Sequence, residues 1–250
     1  PSGLVLVTGP TGSGKTTTLY SALSELRGGA VNITTIEDPV EYQISGINQV
    51  QAKPAIGLTF AAGLRAFLRQ DPDIMFVGEI RDLETAQICV RAALTGHMVF
   101  STIHTNDAAS TINRLIDIGI EPYLAASSLT LIIAQRLLRK LCPKCKQIYA
   151  PPASLLPKNF PAAKSTVFYK AVGCDHCDKT GYLGRMAVYE ALPINLAMQE
   201  LIVQRASMSQ VLAEARKAGM KTLEENCYQK VVKGETSLEE ILRVVVVGAL

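Results

Sequence analysis

The 250 residues contain no tryptophan, three histidines and an aromatic share of only 6%. A motor that threads single-stranded nucleic acid usually offers stacking aromatics and a dense basic stripe, and the core of this chain shows neither. Net charge is 25 − 22 = +3 at pH 7, too mild to imply a polyanion partner by itself. No apolar run approaches the roughly 18 residues of a membrane span. The most apolar stretch, "SLTLIIAQRLLRKL", is interrupted by Gln135, Arg136, Arg139 and Lys140. There is no signal peptide, initiator methionine, internal repeat or low-complexity tract. Because the opening "PSGLVLVTGPTG" lies already inside a strand-and-loop pattern, the chain is expected to be a fragment of a longer protein.

What is present is a foldable core. Hydrophobic residues make up 48% and charged residues 19%, which argues against disorder. Over the first 120 residues or so, short β-branched runs alternate with helical patterns. Strands are expected at 4–9, 31–38, 73–80 and 97–104, with helices at 15–26, 60–70, 83–94 and 107–119. Such alternation predicts an α/β fold with a mainly parallel sheet covered on both faces. A long helix is then expected from about Pro122 to the first cysteine pair. After it come a proline-rich loop section, a strand or hairpin over 181–192, and short helices from Asn195 onward.

"GPTGSGKT" fits G-x-x-x-x-G-K-[ST] and sits between a strand and a helix, the context that motif requires. The loop comprises Gly9, Pro10, Thr11, Gly12, Ser13 and Gly14, followed by Lys15, Thr16 and Thr17. Glycines let backbone N–H groups turn inward around phosphates, and the helix N-terminus adds its positive end. Lys15 can reach the β- and γ-phosphates of ATP, and the Thr16 hydroxyl can ligate Mg²⁺.

In a parallel sheet, ligands bind at the carboxyl ends of strands. Strand two ends in Glu37, the strand "DIMFV" leads into Gly78 and Glu79, and the last ends in His104. Three strands thus deliver ionisable groups towards the edge that carries the phosphate loop. Glu79 can hold the metal through a water or orient the attacking water, and Glu37 is the other candidate for that task. His104 can sense the γ-phosphate. For His97, at the start of its strand, a structural role is equally expected, and Arg81 and Arg91 fit exposed salt bridges as well as a neighbour's site.

"GPTGSGKTTTLY", "TTIEDPVEYQISGINQVQ", "RQDPDIMFVGEIRDLETA" and "TGHMVFSTIHTNDA" resemble, in order and spacing, the Walker A, Asp, Walker B and His boxes of the secretion ATPases. These motors drive type II secretion and type IV pilus assembly. The resemblance also takes in "AQRLLRKLCPKC" and "GYLGRMAVYE", and so covers nearly the whole chain. It implies a RecA-like P-loop ATPase core, Mg-dependent ATP hydrolysis, and a homo-oligomer, a hexamer in the full-length protein. It further implies a cytoplasmic location, peripheral to the bacterial inner membrane, with platform proteins of the machine as partners and no nucleic acid. By that match Glu37 is the Asp-box glutamate, Glu79 the Walker B glutamate, and His97 and His104 form the His box. Family members carry an N-terminal half that supplies arginines to the site. The alternatives are a RecA-like nucleic-acid translocase and a non-catalytic nucleotide-gated scaffold.

Cys142 and Cys145 are matched by Cys174 and Cys177, with 28 residues between the pairs. Two such knuckles can close a tetrahedral Zn²⁺ site. A redox pair would need only one Cys-x-x-Cys near a thioredoxin-like unit, while an iron–sulfur cluster is compatible with the ligands alone. His176 is expected to be a bystander, and Cys89 and Cys227 to be core residues. A metal can fix a section with little apolar sequence of its own. In the resembling family, assembly-type motors carry such a subdomain and pilus-retraction motors lack it. The expected organisation is an ATPase core at 1–141, a tetracysteine subdomain at 142–190 and a C-terminal helical section at 191–250.

Overall fold

The computed structural model describes residues 2–152, 155–157, 159–161 and 166–246. In chain order its elements begin β1 (Gly3–Thr8), α1 (Lys15–Leu26), β2 (Ile33–Glu37), β3 (Asn48–Gln51), α2 (Phe60–Phe67) and β4 (Ile74–Val77). They continue with α3 (Leu83–Leu94), β5 (Met98–Ile103), α4 (Ala108–Ile118), α5 (Pro122–Ser128), β6 (Leu129–Leu141), β7 (Gln147–Tyr149), β8 (Phe168–Lys170) and β9 (Tyr182–Pro193). The last helices are α6 (Leu196–Val203), α7 (Met208–Lys217), α8 (Leu223–Val232) and α9 (Leu238–Ile241), which runs on as a π turn over Leu242–Val246. The chain divides into two compact units, Pro1–Ala134 with Ala191–Met220 and Gln135–Glu190 with Lys221–Leu250.

The sheet has the order β3-β2-β4-β5-β1-β6-β9, and β1 to β5 lie wholly within the first unit. Every pairing from β3 through β6 is parallel. Side chains alternate between the faces of a strand, and here both faces are apolar. Val5, Val7, Ile33, Ile74, Phe76 and Phe100 form one cluster with Leu19, Tyr20 and Leu23 of α1. Their neighbours Leu4, Leu6, Met75, Val77 and Val99 are equally buried on the opposite face. A one-residue slip turns every side chain of such a strand to the other face and breaks the close packing on both at once, so the positions of the strand ends are fixed.

The helices stop and start where local chemistry dictates. Asp82 and Asp107 cap α3 and α4 by accepting from the N–H groups of Thr85 and Ser110. The expected stop at Gly119 is present, with that residue in the left-handed region.

One expectation is overturned. The segment from Pro122 to the cysteines is not one long helix: α5 ends at Ser128, and Leu129–Leu141 is the strand β6, paired with β1. Its Leu, Gln, Arg and Lys content favours a helix, but pairing with a buried neighbour wins. Burial along it has the period of a strand, at Ile132, Ala134, Arg136 and Leu138. The charged Arg136 occupies an inward position and disguises that period in the sequence.

In the second unit β7 and β8 form an antiparallel pair. Leu138, Leu141, Phe168, Val188, Cys227, Tyr228, Val231, Leu238 and Ile241 are buried there, together with polar groups. Glu240 is fully buried and accepts from the backbone N–H and guanidinium of Arg139 and from the guanidinium of Arg243. The Arg139 guanidinium also lies 4.0 Å over the Tyr182 ring.

Candidate functional site

The phosphate loop leaves β1 at Thr8 and enters α1 at Lys15. Gly12 and Gly14 have φ of 78° and 85°, a region that side-chain-bearing residues avoid. Gly14 is the N-cap of α1 and offers no side chain there, so the first-turn N–H groups face whatever occupies the loop. The Lys15 ammonium donates to the carbonyls of Gly9 and Pro10, at 2.8 and 3.2 Å, which folds it back over the loop.

The four strands β2, β4, β5 and β1 are consecutive in the sheet and parallel, so their carboxyl ends share one edge. A cavity of about 610 Å³ opens there, lined by Thr11 through Thr17, Glu37, Asp38, Tyr42, Glu79, Arg81 and His104 among others. That volume suits a small-molecule ligand of nucleotide size. Gly9 and Pro10 stand behind it, reached through Lys15. His97 stands elsewhere, at the start of β5, where its Nδ1 lies 3.0 Å from the Ala92 carbonyl and 3.2 Å from the Thr95 hydroxyl. It closes the C-terminus of α3 and does not line the cavity.

Hydrogen bonds hold each strand end. Thr102 Oγ1 donates to the Gly78 carbonyl at 2.6 Å, and the Ile80 N–H donates to the Thr102 carbonyl at 2.9 Å, which brackets Glu79 between two ties to β5. Glu79 Oε2 lies 3.3 Å from His104 Nε2, while Oε1 meets the Arg81 guanidinium. The loop carrying His104 is tied to the phosphate-loop strand. The Thr105 N–H donates to Thr8 Oγ1 at 2.8 Å, and the Thr105 hydroxyl lies 2.7 Å from Thr8 Oγ1 and 2.6 Å from Thr111 Oγ1.

Glu37 is only 2% exposed. Its Oε2 accepts from the Tyr20 phenol, and its Oε1 accepts from the Thr35 hydroxyl at 2.6 Å and the Gln49 amide at 3.2 Å. Thr35 lies on the same strand as Glu37, while Tyr20 and Gln49 come from α1 and β3. All three fall inside the quoted boxes, but nothing in the sequence marks them as partners of Glu37. The Tyr20 phenol is pushed above its usual range, first by burial and then by the Glu37 carboxylate, and stays a donor.

In the second unit the four expected cysteines meet. All four Sγ atoms lie within 4.8 Å of one another. Cys142 and Cys174 are 3.9 Å apart, Cys145 and Cys177 3.7 Å, and Cys174 and Cys177 3.8 Å. A regular tetrahedron with metal–sulfur bonds of about 2.3 Å has edges of about 3.8 Å, so the donor set fits one ion at its centre and is too tight for a multi-iron cluster. The separations are also far beyond a disulfide bond. Each knuckle is a tight turn: Lys146 N–H donates to the Cys142 carbonyl at 3.1 Å, and Lys179 N–H to the Cys174 carbonyl at 2.9 Å. Burial raises the Cys177 pKa, but N–H donors from Cys174 and Gly181 and the neighbouring thiols of Cys145 and Cys174 outweigh it and hold it at about 6. That favours a thiolate at Cys177, while burial and the neighbouring thiols push Cys145 up to about 11. Burial pushes the Cys89 and Cys227 thiols up to about 12, as befits core residues.

A family model described as Type II/IV secretion system protein matches residues 1–243. The type IV pilus assembly ATPase PilB of Myxococcus xanthus is 54% identical over 250 residues, 97% of this chain and 44% of its own length. The type II secretion system ATPase E of Vibrio cholerae is 50% identical over 246 residues, 98% of this chain and 48% of its own. A solved structure of the pilus retraction motor PilT with bound ADP superposes with a TM-score of 0.71 at 34% identity, over 97% of this chain and 61% of that one. The chain spans about half the length of the curated relatives it matches.

Proposed function

Since the chain belongs to the type II/IV secretion system protein family, we propose that it binds and hydrolyses ATP with Mg²⁺ to power pilus or pseudopilus assembly. The observation that carries this reading is the meeting of the phosphate loop, Glu37, Glu79 and His104 around one cavity. The relatives named as pilus assembly and secretion ATPases support it, as does the ADP in PilT.

Phosphoryl transfer asks a protein mainly for positioning and charge stabilisation. The N–H groups of the loop and of the first turn of α1 bind the phosphates. Lys15 exchanges the carbonyls of Gly9 and Pro10 for the β- and γ-phosphates. The Thr16 hydroxyl holds Mg²⁺, whose charge offsets that of the phosphates. Glu37 orients the attacking water. Glu79 takes the Walker B role beside the ion, and His104, in contact with it, reports on the γ-phosphate.

The tetracysteine cluster holds a structural Zn²⁺ that fixes its two turns and takes no part in the chemistry. The tetrahedral sulfur spacing supports this. In the full-length protein the chain works in a homo-oligomer, a hexamer, at the cytoplasmic face of an inner membrane, with platform proteins of the machine as partners. Among the described residues no helix is long and apolar enough to cross a membrane.

The deciding experiment is Mg-ATP turnover with and without single- and double-stranded DNA. Turnover that DNA leaves unchanged is expected. Stimulation by DNA would favour a nucleic-acid translocase, and ATP binding without turnover a nucleotide-gated scaffold.

A further inference from the structure

The environment of Glu37 carries an inference beyond its proposed role. A carboxylate has about four acceptor positions, and three are filled by the Tyr20 phenol, the Thr35 hydroxyl and the Gln49 amide. One is left for a water in the cavity that Glu37 lines. The donors are themselves fixed. The Gln49 carbonyl oxygen accepts the Ile44 N–H at 2.6 Å, which sets the amide so that its NH₂ faces Glu37 and the Tyr42 carbonyl, each at 3.2 Å. The Tyr20 ring is fully buried, with the edges of Tyr42 and Phe76 against it at centroid distances of 4.7 and 6.2 Å. Its oxygen also accepts the Glu41 N–H at 3.3 Å. Tyr20 stands five residues after Lys15 on the same helix, so one rigid element carries both the phosphate-binding lysine and the phenol.

We propose that Tyr20 is a positioning residue for hydrolysis: with Thr35 and Gln49 it locks Glu37 in one orientation, and through α1 it ties the water-orienting carboxylate to the bound phosphates. The inference rests on the reading of this cavity as the site of ATP hydrolysis with Glu37 orienting the water. Supporting partners of this kind act by fixing the orientation of the group that does the work, and their loss typically lowers activity about 10- to 100-fold.

The test is steady-state ATP turnover by the full chain carrying Tyr20→Phe, which keeps the ring and deletes the hydroxyl. A fall in kcat of about 10- to 100-fold is expected, with KM for ATP unchanged. In a Glu37→Gln background the same substitution should have little further effect, because both act on one interaction. Gln49→Met, on the edge strand β3, removes a donor from the same carboxylate and should lower kcat without raising KM, which keeps the test open should Tyr20→Phe fold poorly. Wild-type kcat in Tyr20→Phe alongside an impaired Glu37→Gln overturns the inference and leaves the hydrolysis reading standing. Equal losses in both backgrounds, or a raised KM at unchanged kcat, also overturn it, since they mark a packing role. Undiminished turnover by Glu37→Gln overturns the Glu37 reading and the inference with it.

Discussion

The cavity of the first unit is lined by groups from four strands whose two faces are packed with Leu4, Val5, Leu6, Val7 and their neighbours. The cysteine cluster of the second unit stands on two turns, with the two-stranded β7–β8 pair in the stretch of chain between them. In the first case apolar packing fixes the backbone, and polar groups at the strand ends are free to do chemistry. In the second, polar groups add to a buried apolar set: four sulfurs spaced for one ion, and Arg139 and Arg243 around Glu240, with the Arg139 guanidinium over the Tyr182 ring. A sheet core can present a reactive edge because its stability is provided elsewhere. We read the cysteines as structural because four sulfurs close a tetrahedral site and leave no open position on the ion it fits.

The sharpest way to break this contrast is at Glu79. Glu79→Gln should retain ATP binding and lose about 10²- to 10³-fold in kcat, the usual effect of removing one charge-stabilising or positioning group. Metal content in the second unit should not change. Wild-type turnover in this variant removes Glu79 from the chemistry.

The next effect is local. A strong chelator should loosen residues 142–177 in hydrogen exchange while leaving nucleotide affinity largely intact, because a structural ion contributes folding energy to the section it clamps. Loss of ATP affinity in step with the metal would show that the cluster does more than fix its own two turns.

A smaller effect is expected at Glu240. Burial raises its pKa, but Arg243 and then Arg139 outweigh this and hold it at about 2, against an ordinary 4.5. A depressed carboxyl stabilises the fold fully above its unfolded value and loses that contribution as pH falls through the folded one. The stability of the second unit against denaturant should therefore fall as pH is lowered from about 4.5 to 2. Glu240→Gln should cost about 1.5–3 kcal/mol at neutral pH and flatten that acid dependence. Both are measured by denaturant titration across the range.

Much of this was legible in the residues, and for definable reasons. The strands and helices of the first 120 residues or so announce themselves by hydrophobic period, and the phosphate loop and paired cysteines by spacing. The convergence of Glu37, Glu79 and His104 follows from one rule about parallel sheets. Three kinds of feature were hidden. The strand β6 was masked by a buried arginine at an inward position. The edge strand β3, "NQVQ", has no apolar face to reveal it, and β7 and β8 are three residues each. The donors around Glu37 come together only in three dimensions, so no spacing along the chain betrays Tyr20 or Gln49.

The two cysteine knuckles also carry a schedule. Twenty-eight residues separate them, and a ribosome adding about 5–20 residues per second delivers the second pair between about one and six seconds after the first. During that interval only two of the four sulfur donors exist, and half a tetrahedron holds a metal weakly and shields no thiol. Whether Cys142 and Cys145 reach their partners reduced is then decided while the chain is being made. The finished site depends on the thiol chemistry around the ribosome before it depends on anything around the folded chain.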